Sequence, residues 1–239
     1  MGDLLLSACG PDPIASDEAL TAVLGYARAR RWFFVRTPSH PSGQWVQVPA
    51  YPFGVYDAQP PSPDPGFAWL DVLAADGLMG GLPHDRWESF AAEVHALVPV
   101  VDRVLESAAG RAFWDLDSGS LELVELALAA ARGTSDPDRA VAVLHHKHPR
   151  LFPLTSRRTE RALQPVAHAL KVSPSDVIHA DLRTNADAFA ELEQRASHEL
   201  AVQLGRLRLH DLLMWLTVTH RWADCQQVGS GTLAKHEQG

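Results

Sequence analysis

The sequence predicts a mainly α, multi-helix globular bundle with a small N-terminal β-hairpin. Three observations predict it. Apolar residues recur at helical spacing from Phe67 almost to the C-terminus. Capping residues, glycines and prolines punctuate those stretches. Near the N-terminus, two short runs rich in aromatic and β-branched residues, "WFFVR" and "QWVQV", stand apart from the helical pattern.

Taken in order, "DEALTAVLGYARARR" follows Ser16, an expected N-cap, and sets Leu20, Val23, Leu24 and Ala27 on one face, with acids first and arginine last. The two aromatic runs flank "TPSHPSG" and read as a hairpin with a long loop. "VPAYPFGVYDAQPPSPDPG" holds too many prolines for a regular helix or central strand, because each fixes φ and removes a donor. It is expected to wrap against the helical body. Helices follow in "FAWLDVLAADGLMGG", "HDRWESFAAEVHALV" and "PVVDRVLESAA". "SLELVELALAAARG", apolar on most faces, is the expected central buried helix, closed by Gly133. Asp136 and Pro137 open "PDRAVAVLHHKH", a helix restarts near Ser156, and "NADAFAELEQRASHELAVQL" and "LRLHDLLMWLTVTHRW" are amphipathic. The total is about eight or nine helices. The expected organisation is residues 1–65 as helix, hairpin and Pro-rich connection packed on the body, 66–225 as the helical domain, and 226–239 as a frayed tail.

At 239 residues, 46% hydrophobic and 21% charged, the chain has enough apolar surface to fold without metal or disulfide. Its two cysteines, Cys9 and Cys225, suit a reducing compartment and form no ligand cluster. "MGDLLLSACGPDP" lacks the basic segment of a secretion signal, so the expected location is cytoplasmic. No run nears the ~18 apolar residues of a membrane span, so no membrane partner is expected. A net charge of −8 counts against extended non-specific binding to DNA or RNA, leaving "SRRTER" and "ARARR" as the places for a local basic patch.

His145 and His148 share a helical face and His146 points elsewhere. Without HExxH, paired CxxC or an Asp-rich loop, they read as a polar rim at a helix end, and no metal or cofactor is expected. GxSxG, GxGxxG and GxxxxGK[ST] are absent, which removes nucleophile-elbow, dinucleotide and P-loop chemistry. Asp115 and Asp117 sit where they cap the next helix, and Trp69, Trp87 and Trp215 fall on stripes that would bury them. One segment stands out. In "HHKHPRLFPLTSRRTER", a helix corner leads into a basic first turn, where hydroxyls, free backbone donors and arginines can gather an anion.

The run "AVAVLHHKHPRLFPLTSRRTERAL" with the later "LRLHDLLMWLTV", and upstream "VYD" at 55–57 and "FAWLDVLAADGL" at 67–78, resembles a bacterial family common among actinobacteria, whose own function is unassigned, over roughly residues 50–220. That family is in turn similar to the helical core of helix-hairpin-helix DNA glycosylases. The resemblance implies a hairpin that grips DNA phosphate at "ARGTSDPDRAVAVL", with Ser135 at the second glycine position, and a catalytic Asp turn at "FPLTSRRT", where Thr155 or Ser156 stands instead. A hydroxyl carries no charge at neutral pH and cannot stabilise a cationic transition state as a carboxylate does. The resemblance thus implies a non-catalytic or degenerate relative with weak nucleic-acid or anion affinity through Lys147, Arg150, Thr155, Ser156, Arg157, Arg158 and Arg161. A protein-interaction or accessory component, and an enzyme with an unrecognised site, remain the alternatives.

Overall fold

A computed structural model describes residues 2–231 of the chain. Helix α1 (Ser16–Arg28) leads into an antiparallel pair, β1 (Arg30–Thr37) and β2 (His40–Pro49). Ten further α-helices follow among the described residues: α2 (Trp69–Met79), α3 (Trp87–His95), α4 (Val98–Ala108), α5 (Ser118–Arg132), α6 (Pro137–Lys147), α7 (Arg157–Leu170), α8 (Pro174–Thr184), α9 (Ala186–Leu200), α10 (Arg206–Val218) and α11 (Trp222–Gly229).

The mainly helical class with one N-terminal hairpin is what the periodicity predicts. The details differ in instructive ways. The strands run through most of the expected loop and leave only Pro38 and Ser39 between them, with a register irregularity between Val35 and Thr37. Ala15 occupies the N-cap of α1, while Ser16 begins the helix and turns its hydroxyl to the Gly2 carbonyl. Helices α8 and α11 were not singled out by the sequence pattern. The first is announced by a capping box, Ser173 and Asp176 each bonding the other's backbone N–H. The second carries the chain to Gly229, so residues 226–229 of the expected tail are helical; the tail's last residues, 232–239, lie outside the described ones.

Burial also redistributes the core. Helix α5 hides Leu121, Val124, Ala127, Leu128 and Ala131 but exposes Leu126, so it is one-sided rather than central. Gly133 closes it at φ −80°, without a left-handed turn. The central positions belong to α6, buried from Arg139 through Lys147, and α10, buried from Leu207 through Met214. Helix α6 packs on α2 and α5, whereas α10 packs on α1, α7, α8 and α9. Burying a side chain such as Leu144 stabilises this interior by roughly 1.5–3 kcal/mol. Trp69 departs from expectation. It is 53% exposed and leans on the half-buried Trp87, with ring centroids 5.7 Å apart, because the apolar residues of α2 encircle the helix and only one side meets α6.

Helices α1 and α11 approach so closely that glycine is required at both contacts. A Cβ on Gly25 would stand 1.7 Å from the Cys225 carbonyl oxygen, and one on Gly229 would stand 1.9 Å from that of Thr21. Backbone cannot yield as a flexible side-chain tip does. Gly25→Ala is therefore expected to cost about 3 kcal/mol by prising α11 from α1, read as a lower urea midpoint with unchanged slope.

Candidate functional site

The C-terminal end of α6 organises the polar interior. Its last turn carries His145, His146 and Lys147 inward, so these side chains are buried rather than forming a solvated rim. The His145 Nδ1–H donates to the Phe152 carbonyl at 2.7 Å, and burial pushes this imidazole's pKa down, keeping it neutral. Both nitrogens of His146 face oxygen acceptors, Asp71 Oδ1 at 3.1 Å and the Gln59 carbonyl at 3.2 Å. His148 ends α6, its ring edge-on to Phe67; burial, then the Lys147 charge, hold its pKa at about 4. Among the described residues no cluster of three or more His, Cys, Asp or Glu is arranged to hold a metal ion.

Lys147 reaches under the Pro-rich connection. Its ammonium donates to the Ser62 carbonyl at 2.8 Å, to Ser62 Oγ at 2.7 Å and to the Asp64 carbonyl, and stands 3.7 Å from Asp71 Oδ2. Asp71 is fully buried and accepts from Ser62 N, Ser62 Oγ and Ala68 N. Burial opposes its charge, but these donors and His146 hold its pKa well below the usual carboxylate range. The connection therefore wraps the helical body as its composition predicts, with Lys147, Asp71 and His146 as the rivet.

Beside this rivet lies a cleft of about 740 Å³, a size that takes a small organic molecule. Residues 56–61 form one wall and the loop at 201–205 another, while His145, His146 and Arg208 line its interior. Arg208, on the first turn of α10, grips Asp57 through Nε at 2.5 Å and Nη2 at 3.3 Å. Tyr26 completes the triangle, donating to Asp57 Oδ2 at 2.8 Å and accepting from Arg208 Nη2 at 3.2 Å. The Arg208 guanidinium also lies 5.6 Å from the centroid of Tyr56, whose hydroxyl is anchored to the Ala142 carbonyl. At the cleft's edge Trp114 holds two more guanidinium groups against its ring, Arg150 at 5.9 Å and Arg206 at 5.2 Å. Arg206 also pairs with Glu193 at 3.1 Å. Arg150, by contrast, is exposed and makes no ion pair with a described residue.

The residues singled out in the sequence end in three different places. Of the seven residues expected to bind an anion, Arg150 alone lines the cleft, and Lys147 is enclosed beneath the connection. Thr155 is buried and accepts from Arg132 Nη2 at 3.2 Å, while Ser156 caps α7 through the Thr159 N–H. Arg157, Arg158 and Arg161 lie on the exposed surface of α7, Arg157 facing Asp138 at 3.8 Å. The turn where the resemblance implies a phosphate-gripping hairpin joins α5 to α6, and its donors are occupied: the Gly133 and Thr134 N–H groups bond carbonyls of α5, and the Ser135 N–H bonds Glu93 Oε2 at 2.6 Å. Near the Thr155 turn, Asp211 accepts the Leu154 N–H at 2.6 Å, but it is buried and does not line the cleft.

Sequence reasoning missed Tyr56, Asp57, Trp114, Glu193, Arg206 and Arg208, which come from separate segments. One signal was present. Asp57 ends "VYD" and Arg208 lies in "LRLHD", two of the segments that carry the family resemblance, and the structure joins them as an ion pair.

No protein-family model, curated protein or solved structure matches the chain.

Proposed function

We propose that this protein binds a nucleotide unit, a phosphorylated heteroaromatic molecule, in the cleft beside Trp114, and that it is a relative of the glycosylase-type scaffold that binds without breaking bonds. The observation that carries this reading is the pair of guanidinium groups, Arg150 and Arg206, held on the Trp114 ring at the cleft's edge. Stacking on an indole fixes the position of a guanidinium while leaving its N–H edge for an oxyanion. Deeper in, Tyr56, His145 and His146 pack on one another as a buried floor, and the 56–61 connection above them offers backbone polar groups to a heterocyclic ring.

The carboxylates support binding rather than catalysis. Asp57 is bound to Arg208 and Glu193 to Arg206, so each carboxylate is already engaged by a guanidinium rather than turned toward a reacting atom. The occupied donors of the α5–α6 turn argue against a grip on duplex DNA through that hairpin. Anion affinity thus moves from the basic corner at residues 145–161 to the cleft, and of the corner's lysine and arginines only Arg150 goes with it.

Calorimetric titration with a nucleoside monophosphate tests the reading. Arg150→Glu is expected to weaken binding at least about tenfold, since it reverses the unpaired charge. Arg157→Glu with Arg158→Glu, on the outer surface of α7, should leave it unchanged. Equal loss from both would refute the placement, and absence of saturable binding would refute the function.

A further inference from the structure

We propose that the β1–β2 hairpin is a second, separate binding surface that takes single-stranded nucleic acid across the face bearing Trp32, Phe34 and Trp45. The register places Phe34 opposite Trp45 and Trp32 opposite Gln47, so these side chains emerge on one face of the ribbon. That face is open: Trp32 is 54%, Phe34 40% and Trp45 64% exposed. Phe34 and Trp45 touch at a centroid distance of 5.2 Å, and Arg36 lies 5.8 Å from the Phe34 centroid. Gly43 makes this arrangement possible. Its φ is +82°, and a Cβ there would stand 2.1 Å from Phe34 Cζ, so the glycine is the floor on which the ring rests.

Charge says what kind of partner fits. Between residues 19 and 56 the chain contains Arg28, Arg30, Arg31 and Arg36 and no Asp or Glu, although its overall charge is −8. Arg30 turns one nitrogen to the carbonyls that end α1, and none of Arg30, Arg31 and Arg36 forms an ion pair with a described residue. A positive ribbon projecting from an acidic body is complementary to a polyanion. The rings narrow the choice. Trp32 and Phe34, two residues apart on one strand, are separated by roughly 7 Å, a spacing that lets successive unpaired bases stack while phosphates meet the arginines. A duplex hides the base faces that this surface needs. A lipid surface fits less well, because the tip, Thr37–His40, is polar and the aromatic residues sit midway along the ribbon.

Fluorescence anisotropy of labelled oligothymidylate with the full chain tests the proposal. Trp45→Ala and Trp32→Ala should each weaken binding about tenfold, the loss typical of one stacked base. Arg36→Glu, which reverses the charge lying beside Phe34, should flatten the dependence of affinity on salt. These side chains are exposed, so unchanged thermal melting separates lost binding from lost folding. Trp114→Ala should leave oligothymidylate binding intact, and Trp45→Ala should leave mononucleotide binding intact, so each site fails or stands alone. Duplex bound as tightly as single strand, preference for anionic vesicles or polyglutamate, self-association removed by Trp45→Ala without oligonucleotide binding, or no binding at low salt would each overturn the proposal.

Discussion

Asp71→Ala is expected to destabilise the fold by about 3–5 kcal/mol, the cost of leaving a buried charge without its partner. The carboxylate is fully buried and joins two backbone N–H groups, the Ser62 hydroxyl and His146, with the Lys147 ammonium 3.7 Å away. Its removal strands Lys147, which is only 8% exposed, and frees the connection at Ser62. Urea unfolding measures the loss. Asp71→Asn should cost less, because an amide oxygen still accepts one N–H. Asp71→Leu combined with Lys147→Met should recover much of the deficit, since removing both charges removes the desolvation penalty with the attraction. A loss below about 1 kcal/mol for Asp71→Ala would mean that the rivet is dispensable. Because this pKa is lower in the folded chain than in the unfolded one, the contribution is present above about pH 4 and fades as acid protonates the carboxylate.

The second large effect runs in the opposite direction with pH. His210 is buried in α10. Burial alone would lower its pKa, yet Asp181 Oδ2 at 3.2 Å and Asp211 Oδ1 at 3.7 Å raise it to about 9. An unfolded histidine titrates near 6.5. The imidazolium therefore stabilises the fold fully below about pH 6.5, and that contribution disappears as pH rises through about 9, on the order of 3 kcal/mol in all. Asp181 also accepts from the backbone and hydroxyl of Ser7, and Asn185 bonds both backbone groups of Leu5. Alkaline deprotonation of His210 should accordingly loosen the segment before α1 first. Melting temperatures measured from neutral to alkaline pH should fall in the wild type, and the slope should flatten in His210→Gln. A wild-type profile that is flat or rises over that range would contradict the assignment.

How much of this was legible in the sequence depends on how local each feature is. Helices α1–α7, α9 and α10 could be read because apolar spacing and caps lie within one segment; Asp117, for example, accepts the Ser120 N–H that it was expected to cap. Helix α8 had its box in "SPSD" but lacks a long apolar stripe, and α11 is short. The hairpin was visible as aromatic runs, though Pro38 and Pro41 suggested a longer loop than the tight turn the strands adopt. The exposure of Trp69 was invisible, because an apolar helix surface does not reveal which side meets a neighbour. The cleft was illegible for a stronger reason. Asp57 and Arg208 are 151 residues apart, and nothing local says that they pair. The basic corner misled through proximity: Lys147, Arg150 and Arg157 are neighbours in sequence, but a helix end, a turn and a new helix send them to the interior, the cleft and the solvent.

The most direct test of the account is a crystal structure of the full chain with a saturating nucleoside monophosphate. Phosphate is expected against the guanidinium groups of Arg150 and Arg206, with the heterocycle directed inward along the 56–61 wall. A cleft that stays empty while the ligand occupies the hairpin or the outer surface of α7 would contradict it.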